Sequence, residues 1–128
     1  MNLHETCQAT VRARVQWNRT GIVLTAGETY QFAATGCWVD FFIPYGPAGG
    51  PSKFAYLRRF ERRRRVPEAN WFTLIGGVDA QKDTAFVIGS RCSHSPRVDG
   101  ELTCFANDVP GFYWNNFGAI QLAVKRVK

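Results

Sequence analysis

Several things are scarce in this chain, and each scarcity excludes a class of function. Histidine occurs only twice, as His4 and His94, and methionine only at position 1. The four cysteines, Cys7, Cys37, Cys92 and Cys104, are scattered. A zinc site wants three or four Cys/His ligands at short spacing, and no such set exists. Four dispersed cysteines also do not make a disulfide scaffold. No apolar leader is visible between Met1 and Val15, so the expectation is reduced thiols in the cytoplasm, with release by another route left open. On that expectation the Asn18-Arg19-Thr20 sequon carries no glycan. No apolar run approaches the roughly 18–20 residues of a membrane span. Internal repeats, low-complexity tails and a second domain are missing, which leaves one domain over residues 1–128.

Positive charge is also scarce outside one place. The formal charge is +6 over 128 residues, but Arg58, Arg59, Arg62, Arg63, Arg64 and Arg65 fall within eight positions. With Glu61, that block carries +5, and the other 120 residues carry only +1. A uniformly basic nucleic-acid coat is thereby excluded. Apolar residues make up 45% of the chain and aromatics 14%, too rich for disorder.

The apolar residues recur with period two. Val11, Ala13, Val15 and Trp17 alternate with polar residues, and Tyr30, Phe32 and Ala34 lead to an aromatic strand over Cys37–Ile43. Further strands are expected from Gly21 to Thr25, Asn70 to Ile75, Thr84 to Ile88, Glu101 to Phe105 and Ala119 to Val127. About eight short strands separated by glycines and polar turns predict an all-β sandwich. Trp17, Trp38 and Trp71 are expected to anchor its core, with Cys37 and Cys104 as small buried side chains. Pro44 to Pro51 must be a loop. After it, Phe54, Leu57 and Phe60 recur every three residues among arginines, which predicts one short amphipathic helix within Lys53–Arg65. Arg58, Arg62 and Arg65 would share one face of it.

The most specific stretch is Ala106-Asn107-Asp108-Val109-Pro110-Gly111-Phe112-Tyr113-Trp114-Asn115-Asn116-Phe117-Gly118. Asp108, Asn115 and Asn116 supply one carboxylate and two amide oxygens in a turn-rich loop. Calcium is a hard cation that takes about six to eight oxygens, many of them carbonyls. This set alone would leave such an ion short of ligands and charge, which suits a further oxygen-rich ligand such as sugar hydroxyls. The competing reading is a turn whose Asp and Asn side chains cap their own backbone.

The string Asn107-Asp108-Val109-Pro110-Gly111, then Tyr113, Asn115-Asn116 and Gly118, resembles the calcium loop of the PA-I type bacterial galactophilic lectins. Thr20-Gly21-Ile22, Gly27-Glu28, Ala34-Thr35-Gly36, Gly46-Pro47-Ala48-Gly49, Leu74-Ile75-Gly76 and Ile88-Gly89 follow the same plan in order. The resemblance implies a jelly-roll, galactose-binding-domain-like β-sandwich that binds Ca2+ and a galactoside without catalysis. Asp108, Asn115 and Asn116 would ligate through side chains, Phe112 through its carbonyl, and Asp40, or its neighbour Phe41, through a backbone carbonyl. An inward Asp40 carboxylate would add a second anion. Asp108 and Asn115 would also hydrogen-bond to the sugar. Lys53 and Tyr56 align near the family's sugar-contacting histidine and glutamine. The family has glycine where Trp114 stands, and small residues at Phe112 and Phe117. Trp114 is the tryptophan expected to meet a ligand.

Two other classes of function compete. The arginine block could bind phosphate, nucleic acid or an acidic protein, since clustered guanidinium groups make bidentate phosphate contacts. The reading preferred over that is a solvated face or a subunit contact. Cys92-Ser93-His94 could form a nucleophile–base pair, but no orienting acid is evident. The expectation is a non-enzymatic, calcium-dependent lectin. It is expected to work as a homo-oligomer, because weak single-site sugar binding gains from multivalency.

Overall fold

Alternation decides the two longest strands. In β3 (Tyr30–Asp40) the side chains of Tyr30, Phe32, Ala34 and Trp38 are buried, whereas Gln31, Ala33, Thr35 and Cys37 are exposed. In β9 (Asn116–Arg126), Ile120, Leu122 and Val124 are buried in the same rhythm. The strands pair antiparallel over eleven positions, from Tyr30 opposite Arg126 to Asp40 opposite Asn116. Two polar residues, Asp40 and Asn116, therefore end the ladder in phase with core side chains. Gly118 has φ +84, and a Cβ there would lie 3.0 Å from the Cys37 carbonyl oxygen. Only glycine lets β9 lie this close to β3 next to that end.

The computed structural model describes residues 1–128 and contains nine strands in two antiparallel sheets. In the first, β1 (Thr6–Arg12) flanks β9, and β9 flanks β3. The remaining edge of β3 is shared by β7 (Arg91–His94) and β4 (Ile43–Tyr45). The second runs β2 (Asn18–Leu24), β8 (Gly100–Ala106), β5 (Leu74–Val78) and β6 (Gln81–Val87). The inner faces enclose one cluster of buried side chains that includes Trp38, Phe72, Leu74, Leu102 and Ile120. This is an all-β sandwich with one short helix. No helix is long and apolar enough to cross a membrane.

Several boundaries differ from the sequence expectation. The first strand ends at Arg12 instead of running to Trp17. The Asn18 side chain accepts from the Arg12 amide at 2.8 Å and donates to the carbonyls of Arg12 and Val15, folding residues 12–18 into a loop. Trp17 is consequently only half-buried, while Trp38 and Trp71 lie in the core. Cys37 points outwards and is exposed, whereas Cys104 is fully buried. The expected strand at Asn70 begins only at Leu74, because the segment before it is held in a loop by Asn107.

The arginine segment also departs from one helix. It forms a single α turn, α1 (Ala55–Arg58), and a separate 3-10 turn over Glu61–Arg63. Phe54 provides no side-chain cap, and no acidic residue lies in the first turn of α1. Arg58/Arg62 and Arg59/Arg63 would be like-charge i, i+4 pairs in a continuous helix, each destabilising. The chain instead breaks at Phe60 (φ −106, ψ 1) and lies as a strap across one end of the sandwich. No continuous helix therefore runs through Arg58, Arg62 and Arg65 to set them on one helical face.

Candidate functional site

The end of the sandwich where β3 finishes, β8 leaves and β9 starts holds a cavity of about 170 Å³. Asp40, Asp108 and Asn115 supply its polar lining. Its apolar walls come from the turn after β3 (Phe41), the start of β4 (Ile43), the strap (Tyr56, Leu57, Phe60), Trp71 and the loop after β8 (Val109, Phe112).

Three anchors hold this end together. Asn107, fully buried, accepts from the Val66 amide at 2.9 Å and donates its NH2 to the carbonyls of Val66, Ala69 and Asn70. Arg65 is the second. Its guanidinium lies 3.4 Å from the Phe105 ring centroid and 4.6 Å from that of Trp17. It donates to the Gln16 carbonyl and, at 3.1 Å, to the Tyr113 hydroxyl. Its own amide donates to the Asp108 carbonyl at 3.0 Å. The third is Tyr113, whose hydroxyl donates to the Ala106 carbonyl at 2.5 Å. The strap and the Asp108 loop are thus fastened to each other and to β8.

The polar groups inside are only partly satisfied. Asp108 accepts from the Val109 amide at 2.7 Å through Oδ1 and from Asn116 Nδ2 at 3.0 Å through Oδ2. Asn116 Nδ2 also donates to the Ala13 carbonyl at 3.1 Å. These two acceptors fix the amide orientation and leave Asn116 Oδ1 buried without a donor; Asn115 Oδ1 is likewise buried and unpaired. An unsatisfied buried polar group costs about 1–3 kcal/mol, so the arrangement is unfavourable unless something supplies positive charge or donors. Asp108 does cap its own loop through Val109, but neither asparagine oxygen caps anything.

The electrostatics agree. Burial pushes the Asp108 carboxyl up to about 7, opposed by its hydrogen bonds from Asn116 and Val109 and reinforced by the charge of Asp40. Burial raises Asp40 to about 6. Its carboxylate lines the same cavity, so Asp40 brings a second anion to the site. Tyr45, whose hydroxyl is buried and unpaired, is pushed up to about 12 by burial, then by the charges of Asp40 and Asp108. Two desolvated carboxylates beside two orphaned amide oxygens form a hard, oxygen-only donor set. No cluster of three or more His, Cys, Asp or Glu is present, so any cation held here would rest on amide and backbone oxygens as well as on the two carboxylates.

The other residues singled out in the sequence are placed as follows. Tyr56 and Phe112 line the cavity. Lys53 does not; its ammonium donates to the Pro44 carbonyl at 3.2 Å and lies 4.9 Å from the Tyr45 ring centroid. Trp114 is 64% exposed and stands outside the cavity lining. The arginine block divides. Arg58, Arg59, Arg62 and Arg63 are exposed, whereas Arg64 lies over Trp71 and Arg65 is clamped as described. On β7, burial raises the Cys92 thiol to about 11, away from the reactive thiolate. His94 stacks on Phe86 with ring centroids 3.7 Å apart.

Sequence reasoning assigned no role to the side chains of Asn107, Tyr45, Phe41 and Phe42, although it offered the Phe41 carbonyl as an alternative ligand to that of Asp40. The two phenylalanines form the two-residue turn between β3 and β4, since Asp40 pairs with Ile43. Phe41 has φ +57, a region where a bulky side chain is strained, yet the residue is 62% exposed. Phe42 is exposed too, and the aromatic run continues through Phe54 to Tyr56 with centroid spacings of 5.2, 5.6 and 5.8 Å. Two adjacent phenylalanines at the end of an aromatic strand were the available signal.

No family model matches the sequence, and no curated protein matches it. A solved structure described as "EclA N-terminal domain; PllA-like lectin" superposes with a TM-score of 0.68 at 21% identity. The match covers 93% of this chain and 94% of that one. At this identity the likeness establishes the sandwich fold.

Proposed function

We propose that this protein is a non-catalytic, calcium-dependent carbohydrate-binding protein. The observation that carries the reading is the pair of buried, unpartnered oxygens, Asn115 Oδ1 and Asn116 Oδ1, beside the carboxylates of Asp40 and Asp108. Those four side chains would hold the ion, with the Phe112 carbonyl as a backbone ligand. When bound, the ion supplies charge that neutralises the two carboxylates and open positions for two vicinal sugar hydroxyls. Asp108 and Asn115 then accept hydrogen bonds from those hydroxyls, which orients the ring. Tyr56, Phe112 and Phe41 cover its apolar face. Desolvated aspartates next to an aromatic lip match a ligand with one polar edge and one apolar face. The lectin description of the structural neighbour and the resemblance of residues 107–118 to a galactophilic calcium loop support the same reading. They make galactosides the first sugars to test.

The test is a glycan array probed with and without a chelator. Chelator-sensitive glycan binding that disappears in Asp108→Ala is expected. Glycan binding that ignores calcium, or none at all, contradicts the reading. Light scattering of the same preparation checks the expected homo-oligomer.

A further inference from the structure

The cavity has a neighbour of opposite charge. A groove of about 740 Å³ is lined by Arg62, Arg63, Arg64, Arg65 and Lys82, against the single carboxylate of Glu68. None of these five cations forms an ion pair; the only two pairs in the protein are Arg19–Glu101 and Arg126–Glu28. The groove and the cavity share their partition. Val109 lines the cavity and Pro110 the groove; Phe60 lines the cavity and Arg62 the groove. Arg64 also links them, since its guanidinium lies 5.1 Å from the centroid of Trp71, a cavity wall. Its Nη2 donates to the Pro67 carbonyl at 2.8 Å, but its Nε is buried with no acceptor. A buried guanidinium N–H without a partner is a costly omission that an oxyanion would correct.

We propose that the natural ligand is an acidic oligosaccharide that spans both places. One neutral ring sits in the aspartate cavity, and a sulfate or carboxylate on a neighbouring ring sits in the arginine groove. With the ion neutralising the two aspartates, the cavity offers an acidic group no net positive charge, whereas the uncompensated cations lie beyond the partition, in the groove. Four of the six arginines in the Arg58–Arg65 block line this groove. A nucleic acid would use the cations but leave the calcium-type donor set without a role. The inference rests on the carbohydrate reading above and adds the ligand's charge and minimum size.

Galactose-ending oligosaccharides in matched sets test it: uncharged, 6-O-sulfated and sialylated versions of each core, with dT20 as a polyanion control, in calcium and in chelator. At least one acidic version should bind about tenfold more tightly than its neutral partner at 50 mM salt, in calcium only, with the gap closing toward 0.5 M salt. The sulfated and sialylated arms distinguish the source of the oxyanion. The combined variant Arg62→Gln, Arg63→Gln, Lys82→Gln should erase the gap and leave the neutral affinity unchanged. Equal binding of acidic and neutral versions overturns the inference while the lectin reading stands. A preference that survives in the combined variant overturns it as well. Tight, calcium-independent binding of dT20 assigns the groove to polyanions in general and also overturns it. Absence of glycan binding by every probe fails both readings together.

Discussion

The loop after β8 and the strap that leans on it carry opposite kinds of unfinished chemistry. In the loop, Asn115 Oδ1 and Asn116 Oδ1 are buried and unpaired beside aspartates with raised carboxyl values. On the strap, Arg58, Arg59, Arg62 and Arg63 are unpaired but largely in water. Exposed charges are solvated and cost little, so alone they say little about a ligand. Buried unsatisfied oxygens are expensive, so they do. That asymmetry, and not the size of the charge, is why the loop carries the proposed function. The strap holds this end of the fold together where its chemistry is half-buried, at Arg65.

The largest effect should come from the loop. Asp108→Ala removes one anion, leaves the Val109 amide without its side-chain acceptor and takes from Asn116 Nδ2 one of its two acceptors. It should abolish any calcium-induced melting shift and all calcium-dependent glycan binding, as read by scanning calorimetry and the glycan array. Retention of both would break the comparison at its first point.

Proton linkage comes next. Asp40 and Asp108 have folded carboxyl values of about 6 and about 7, above the ordinary range. Their raised values favour the metal-free fold below the unfolded carboxylate pKa of about 4, and that contribution is lost as pH rises through 6 and 7. The metal-free protein should therefore melt lower at pH 8 than at pH 5. Calcium needs both groups ionised, so its affinity should fall by about two orders of magnitude from pH 8 to pH 5.5. The double variant Asp40→Asn, Asp108→Asn should flatten the first trend; an unchanged trend would show that other groups cause it.

The strap should then split by burial. Arg65→Ala loses the Gln16 and Tyr113 hydrogen bonds and the packing on Phe105, and should cost about 2–4 kcal/mol of stability by denaturant unfolding. Arg58→Ser and Arg59→Ser should each stay within about 0.5 kcal/mol. Similar losses at all three positions would erase the distinction within the block.

Much of the fold was legible because burial follows alternation. The phase of Tyr30, Phe32, Ala34 and Trp38 points Asp40 inwards, and the phase of Ile120, Leu122 and Val124 does the same for Asn116. Two polar residues in a core phase are a readable sign of a site. Less legible was what side-chain hydrogen bonds do to the backbone. Asn18 and Asn107 each fold a stretch that propensity assigns to a strand into a loop. The fate of each arginine was not legible either, since Arg65 is distinguished from Arg62 only by Trp17, Phe105 and Tyr113 arriving from distant segments.

The smallest effect concerns the aromatic lip. Phe41→Gly relieves a strained φ of +57, so stability should hold or rise by up to about 1 kcal/mol, while glycan affinity falls severalfold. Unfolding curves and glycan titrations of the same variant separate the two. A loss of stability with unchanged affinity would return Phe41 to a purely structural role.

The central claim is that the oxygens around Asp108 are waiting for calcium, and calorimetric titration of calcium into the metal-free protein at pH 7.5 tests it directly. One ion should bind per chain, and calcium at one hundred times its dissociation constant should stabilise the fold by about 2.7 kcal/mol, or roughly 10 °C in melting temperature. Asp108→Asn should bind far more weakly. No heat of binding and no melting shift at millimolar calcium would contradict the account.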